Sequence, residues 1–503
     1  MNFKKYKNME PDAKKDESFY LIGLDIGNDS TAIAYYNANT QKPESIDLSG
    51  GYGKPSIPTA IQYVSDTKEW VTGEYAILNQ GGGIVFLRLL ERMGKNEYVD
   101  VGGRLVSLAS VFAIFVKEVL LNVRNINPKA EIVGIVATVP AYYSENQKTE
   151  FRKVFKLAGF DKELIGFASD RECVLAKYLH EKKPMDGKVL VLDFGSRELR
   201  GGLYKLENSG SETVCTCLSF YFDDSISMQA IDGEAYKLFE SFLGKSLKSV
   251  YKEQMAGFHF QHKDMLFQKN IREKPLKLYF NFIYPPVEHT LTYQMADRLI
   301  KPFERKIIAF VSDFFEKSAT GQNDVSEVIC VGGGFEMLWA REVLGEIFPD
   351  KVGFAKSPKL VNAAGAGILA ALHSGLWGYS LKLHDTQKFE MDYGLYDGTN
   401  FLSLVDAGSF WWQKRSAALV NICEEVAGVL EFSFSARSKS GEVNDIEKIV
   451  LSGLPVRPKG VTCLKFSVGF TSNSEAVLEV IDQGFGELFP REDYFRKFEV
   501  QIH

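Results

Sequence analysis

Two apolar runs far apart in the chain end in the same short signature, and that repetition limits the folds open to it. Phe19–Leu24 runs into Asp25-Ile26-Gly27, and Val189–Leu192 runs into Asp193-Phe194-Gly195. Each is followed by a second apolar run, Thr31–Tyr36 in one case and Leu199–Tyr204 in the other. Short β-branched runs bounded by glycine read as buried strands. Asp25 and Asp193 lie 168 residues apart, which excludes a short-period solenoid and indicates two similar lobes facing each other. A third run, Val328–Val331, ends in Gly332-Gly333-Gly334.

Between the repeats, Ile132–Val139 reads as a strand stopped by Pro140. Ser144-Glu145-Asn146-Gln147 then fits a capping box, and the helix it opens should stop at Ala158-Gly159. Upstream, Leu105, Leu108, Phe112, Phe115, Val116 and Leu120 recur at helical spacing and read as a core stripe. Strands alternating with helices give an α/β class over roughly residues 18–381. The segment Val361 to Leu381 has no Asp, Glu, Lys or Arg. Its Ala/Gly content, Asn362, His373 and the break at Ser374-Gly375 make it a buried helix and loop rather than a membrane span.

The texture changes after Leu381. Residues 382–390 are polar and read as a linker, and residues 391–503 alternate in short runs: Val429–Phe434, Ile449–Leu451, Cys463–Val468 and Ala476–Ile481. Such runs, separated by Ser, Asn, Gly and Pro, predict an all-β sandwich. Residues 1–17 are polar and mixed in charge, and read as a disordered tail without a secretory core.

Of the 503 residues, 25% are charged and 45% hydrophobic, which excludes wholesale disorder. A net charge of −6 argues against a nucleic-acid binder, because neutralising phosphates needs a basic face. Cys215 and Cys217 form a lone C-x-C on one strand face and read as packing. His259 and His262 have ligand-like spacing but no acidic or cysteine cluster beside them. The six cysteines are spaced as reduced thiols of a cytoplasmic protein, with no membrane partner.

A strand-end carboxylate followed by glycine has a physical use. Glycine lets backbone N–H groups approach a phosphate, while the aspartate holds Mg²⁺ or its waters. The order of such motifs here resembles the 70-kilodalton heat-shock chaperone family over about 480 residues. Gly23-Leu24-Asp25-Ile26-Gly27 looks like its first phosphate motif and Leu192-Asp193-Phe194-Gly195 its second. Ala137-Thr138-Val139-Pro140-Ala141-Tyr142-Tyr143 resembles its strand-to-helix signature, and Val331-Gly332-Gly333 its adenosine motif. Asn362-Ala363-Ala364-Gly365-Ala366 resembles its late hinge helix, and Leu451–Gly460, with Gly453-Leu454-Pro455, its sandwich-domain turn.

The resemblance implies an actin-like two-lobed nucleotide-binding domain followed by a β-sandwich peptide-binding domain, without a helical lid. It implies ATP/ADP between the lobes, held by Asp25, Gly27, Asn28, Gly195, Gly332 and Gly333, with Mg²⁺ near Asp25 and Asp193 through water. Glu273 and Lys277 fall on what would be the family's adenine-contacting helix, where Leu276 and Phe280 replace polar residues. The peptide pocket would lie near Phe401, Leu404 and Val429, and take an extended or unfolded polypeptide. Trp411-Trp412 after Phe410 reads as sandwich core, with a peptide-binding patch as the alternative.

Departures from the family fall on the chemistry. Its catalytic lysine aligns with Arg88, its catalytic glutamate with Asp170, the proline after that with Arg171, and its adenine-stacking arginine with Glu336. Asn28 and Asp29 replace small hydroxyl residues. The second loop reads Gly195-Ser196-Arg197-Glu198-Leu199-Arg200, where the family has glycines, a threonine and an aspartate. A carboxylate roughly 4 Å from a phosphate oxygen costs about 4 kcal/mol at an effective dielectric near 20. Asp29 and Glu198 add that repulsion; Arg88, Arg197 and Arg200 offset it. The catalytic set Arg88, Asp170, Asp193 and Glu198 keeps only Asp193 unchanged, so ATP hydrolysis is expected to be weak or lost. The family's J-domain-docking arginine is Gly166, so the standard J-domain co-chaperone is not expected as a partner. Two alternatives stand beside this reading: a pseudo-ATPase scaffold or adaptor, and a small-molecule kinase on the same superfold.

Overall fold

The computed structural model describes residues 19–49, 54–78, 83–126, 130–141, 143, 145–182, 186–243, 252–262, 274–412, 416–426, 428–472 and 474–502. The chain divides into two units, residues 1–384 and 385–503.

The repeated signature produces a repeated sheet in the first unit. Phe19–Ile26 pairs parallel to Glu131–Val139, which pairs parallel to Leu164–Ser169. On its other side Phe19–Ile26 runs antiparallel to Ser30–Asn37, and that to Lys42–Ser45. Gly187–Phe194 has the same neighbours in the same senses. Val325–Val331 and then Val352–Phe354 lie parallel on one side, and Leu199–Asn208 and then Glu212–Asp223 lie antiparallel on the other. The central strands are buried along nearly their whole length because both faces of each sheet are covered.

One face of the first sheet packs on the helices Leu108–Ile126 and Glu145–Ala158. Leu108, Phe112, Phe115, Val116 and Leu120 are buried there, as their spacing predicts. Leu105 is not: it lies on the short strand Arg104–Ser107 and is 76% exposed. The helix at 145 ends at Gly159 (φ +88°), and Ser144 lies outside the described residues.

The Ala/Gly-rich run is the helix Val361–His373, packed on Phe19–Ile26 and on the helix Asp170–Glu181. Its small residues are sterically required. A Cβ on Gly23 would stand 2.0 Å from the carbonyl oxygen of Ala363, and one on Gly365 would stand 1.9 Å from that of Cys173. Backbones this close admit no side chain between them. Among the described residues no helix is long and apolar enough to cross a membrane. Ser380–Asp385 is an edge strand beside Glu212–Asp223, so the segment read as a linker begins as sheet.

The second unit holds two four-stranded antiparallel sheets. One orders Phe401–Val405, Asp392–Tyr396, Val429–Arg437 and Val443–Ser452; the other orders Ser416–Ile422, Thr462–Ser472, Glu475–Asp482 and Phe495–Gln501. Their apolar faces share one core, in which Leu395, Phe434 and Ile449 meet Leu464, Leu478 and Val480. The rings of Phe432 and Phe466, one from each sheet, stand 5.3 Å apart edge to face. Within this core Arg457 donates to both oxygens of Asp482 at 2.6 and 2.8 Å, and to the carbonyl of Pro490 at 2.9 Å. Neither side chain is more than 3% exposed.

The candidate cleft and its carboxylate cluster

The two Asp-x-Gly turns have the same construction. The N–H of Gly27 donates to the carbonyl of Ser30 at 2.9 Å, and that of Gly195 to the carbonyl of Glu198 at 3.0 Å. Both hairpins line one cavity of about 150 Å³. Asp25, Gly27, Asn28, Asp170, Asp193, Gly195, Glu198, Gly332 and Gly333 all border it, together with Thr138, Arg197, Arg200, Lys359 and Asn362. Residues scattered from 25 to 362 thus converge on strand ends, turns and the starts of two helices.

Strand register sets the centre of the cluster. Asp193 and Arg200 are opposite each other on the antiparallel pair Gly187–Phe194 and Leu199–Asn208, where unlike charges attract across the ladder. The Arg200 guanidinium donates to Asp193 Oδ2 at 2.7 Å, pairs with Asp170 Oδ2, and has Nε 3.7 Å from Glu198 Oε1. Asp170 opens the helix Asp170–Glu181, whose N-cap Ser169 forms a capping box with Glu172. The helix N-terminus favours a carboxylate there.

Asp25 stands beside this group and accepts from Thr138 Oγ1 at 2.5 Å. Loss of hydration on burial pushes its carboxyl up to about 7, against the Thr138 hydrogen bond, with Asp193 and Asp170 adding to the rise. Burial likewise raises Asp193 and Glu198 above the usual carboxylate range, with Arg200 opposing it in both.

Gly332 adopts φ +89°, and a Cβ there would lie 2.4 Å from Asp193 Oδ1. Glycine is needed here because the turn packs directly on the carboxylate. At Gly195 an added Cβ would meet only ordinary contacts, at 3.5 and 3.7 Å. Asn362 Oδ1, in the cavity wall, is buried and has no hydrogen-bond partner among the described residues.

The remaining candidates lie elsewhere. Arg88 is exposed, with φ +53°, and does not border the cavity. Lys277 lies on the strand Leu276–Phe280, not on a helix. It is exposed and pairs with Glu288 at 2.9 Å. The hairpin with Val287–Leu291 accounts for this, because Leu278 and Phe280 point into the core in strand alternation. Glu273 lies outside the described residues. Glu336 faces Lys359 at 3.5 Å.

The arginines divide their work. Arg197 reaches Glu91 at 3.1 Å, whose own N–H donates to Asn28 Oδ1 at 3.1 Å. Gln229 donates to Asp29 Oδ1 at 3.3 Å and to Ser196 Oγ at 3.2 Å, joining the two hairpins. Arg200, Thr138 and Lys359 matter most among the residues absent from the predicted site. Arg200 was visible as a charge in the loop, but only the register shows that it faces Asp193.

In the second unit Leu404 is buried in the core, Phe401 lies under the Arg437 guanidinium at 4.5 Å, and Val429 is exposed. Phe410 is buried and stacks on Trp412 at 5.0 Å. Cys215 and Cys217 are buried on Glu212–Asp223, and burial pushes the Cys215 thiol up to about 12. His262 Nδ1 lies 2.8 Å from the carbonyl of Phe258.

A divalent cation does not fit the carboxylate cluster as it stands. Mg²⁺ needs oxygens at about 2.1 Å in an octahedron, whereas oxygens of Asp170 and Asp193 are already engaged by a guanidinium that would repel the ion. A phosphate-bearing ligand has more to meet: Arg200, Lys359 and the open face of Gly195.

Residues 42–256 match a family model described as "Family of unknown function (DUF5716) C-terminal", and residues 386–502 match one described as "Domain of unknown function (DUF8552)". The chain is 20% identical over 494 residues to the chaperone protein DnaK of Methanothermobacter thermautotrophicus, covering 94% of this chain and 79% of that one. It is 22% identical to the DnaK of Thermosipho africanus and 22% identical to that of Thermosipho melanesiensis, with 93% of this chain and 78% of each relative covered. The chain is a distant homologue of the DnaK chaperones.

Proposed function

We propose that this is a heat-shock-chaperone-like protein whose two-lobed, actin-like domain holds ATP or ADP between the Asp-x-Gly hairpins without hydrolysing it. Its C-terminal β-sandwich takes extended polypeptide. The observation that carries the reading is the pair of matched hairpins opening on one cavity in which Arg200 pairs with Asp170 and Asp193. Phosphoryl transfer depends on positioning and charge compensation. Here Asp170 and Asp193, which would position water or metal, are paired with the Arg200 guanidinium instead.

Distant homology to DnaK over nearly the whole chain supports the chaperone assignment. A β unit with exposed sheet edges can add an extended peptide by main-chain hydrogen bonds. The test is thermal unfolding of the full chain with ATP or ADP, beside phosphate release in a single-turnover assay. Nucleotide at 100 times its dissociation constant stabilises the folded state by about 2.7 kcal/mol. A shift without phosphate release is expected. Phosphate release at an ordinary chaperone rate overturns the reading.

A second reading, a fixed scaffold that takes no nucleotide, is favoured by the Arg197–Glu91 and Gln229–Asp29 contacts across the cleft. No thermal shift with either nucleotide selects it. Fluorescence anisotropy of a labelled apolar peptide, titrated with the full chain, tests the polypeptide site. No binding at high micromolar protein refutes it.

A further inference from the structure

A cleft lined by five carboxylates ordinarily calls for a metal ion, and this one has a cation built in. We propose that Arg200 takes the place of a divalent ion, so that the cleft excludes divalent metals and holds its nucleotide without one. The exclusion of metal stands on the cluster's geometry alone; metal-free nucleotide binding rests on the function proposed above.

Three features make the guanidinium a fixed part of the site. Arg200 is aimed by backbone register, since its residue and Asp193 face each other on paired strands. It joins the helix-start carboxylate of Asp170 to the strand-end carboxylate of Asp193, with Glu198 close to its Nε. Asp193 in turn is braced by the backbone at Gly332, which leaves no room for even a methyl group. The four side chains are only 9 to 16% exposed, so water screens the attraction little. A planar guanidinium can serve several carboxylates at once through its fork of N–H donors, and it stays charged at every physiological pH.

A divalent ion in the same space would need those oxygens free and would face a positive charge at contact distance. Arg200 supplies one of the two positive charges the ion would bring, but it offers no exchangeable water and no open coordination position. The same residue thus offsets part of the carboxylate charge and leaves no place for a catalytic metal.

The experiment uses the full chain and Mn²⁺ alone, with free Mn²⁺ read by electron paramagnetic resonance. The wild type is expected to take up none, while Arg200→Ala takes up one ion and gains a Mn²⁺-dependent rise in melting temperature. Adding Asp193→Asn to that variant should abolish the uptake. Arg200→Lys, which keeps a cation, should exclude Mn²⁺ as the wild type does. In parallel, the melting shift given by ADP should be the same in EDTA as in Mg²⁺. Uptake of Mn²⁺ by the wild type overturns the proposal, as does a folded Arg200→Ala protein that takes up none. A wild-type ADP shift that requires Mg²⁺ also overturns it. If ADP gives no shift at all, the nucleotide reading falls, and Mn²⁺ alone decides the role of Arg200. Where Arg200→Ala does not fold, the wild type decides: uptake refutes and exclusion supports.

Discussion

Replacing Arg200 by glutamine keeps most of the side chain's volume and removes its charge, so the cost reports what the guanidinium neutralises. Asp170, Asp193 and Glu198 would be left facing one another with little solvent. Removing one partner of a buried ion pair costs about 3–5 kcal/mol, and we expect that range at pH 8. The pH dependence identifies the cause. Asp193 and Glu198 already titrate above their unfolded values through burial, with Arg200 pulling them back. Without it they rise further. A carboxyl raised in the folded state is best tolerated below its unfolded value, and its penalty grows as pH climbs through the folded value. The deficit of Arg200→Gln should therefore shrink between pH 8 and pH 5. Hydrogen exchange by mass spectrometry, on peptides covering Gly187–Phe194 and Leu199–Asn208, measures the opening free energy of that sheet directly. A deficit below about 1 kcal/mol, the scale of an exposed pair, would refute the reasoning. So would one of equal size at both pH values.

Asp25→Asn should remove a declining limb from the stability profile. Asp25 is raised to about 7, so the wild type loses up to about 1.4 kcal/mol per pH unit from this group between roughly pH 4 and 7; comparing urea unfolding of the two proteins at pH 5 and pH 8 checks it. Gly332→Ala combines a positive φ with a 2.4 Å approach to Asp193. It should cost about 2 kcal/mol or more by urea unfolding, against about 1 for Gly210→Ala, where φ is +73° but the space is open. Arg457→Met leaves the buried Asp482 without its counter-ion, and should destabilise the C-terminal unit by about 3–5 kcal/mol. Arg457→Met with Asp482→Leu should recover most of that in the same urea measurement.

Much of the sheet framework is legible in the sequence because its central strands are buried on both faces and therefore read as unbroken apolar runs. The helix Leu108–Ile126 is legible from its stripe, but the stripe runs on to Leu105, across a strand–helix junction that spacing alone does not mark. Ser380–Asp385 was hidden for the opposite reason. An edge strand with Lys382 and His384 turned to solvent has the polar texture of a linker. In the cleft, the Asp-x-Gly turns announce themselves by residue type. The role of Arg200 does not, because charge can be read from a letter whereas cross-strand register requires the turn geometry of Gly195 and Glu198. Lys277 shows the limit of carrying a role over by resemblance. Its neighbours Leu276, Leu278 and Phe280 alternate as a strand does, and that local pattern decided its place.

The contact of one guanidinium with three carboxylates also makes the substitutions around it depend on their order. Changing Arg200→Asp, toward the residue the chaperone family carries there, would add a carboxylate to Asp25, Asp170, Asp193 and Glu198 and remove their cation in a single step. Changing Glu198→Thr first would ease the crowding while Arg200 still held Asp170 and Asp193. A mutational path from this cleft toward the loop sequence of the chaperone family therefore has a passable direction through position 198 and a barrier at position 200. The same asymmetry, run backwards, would let an arginine at 200 shelter the arrival of an acidic residue at 198.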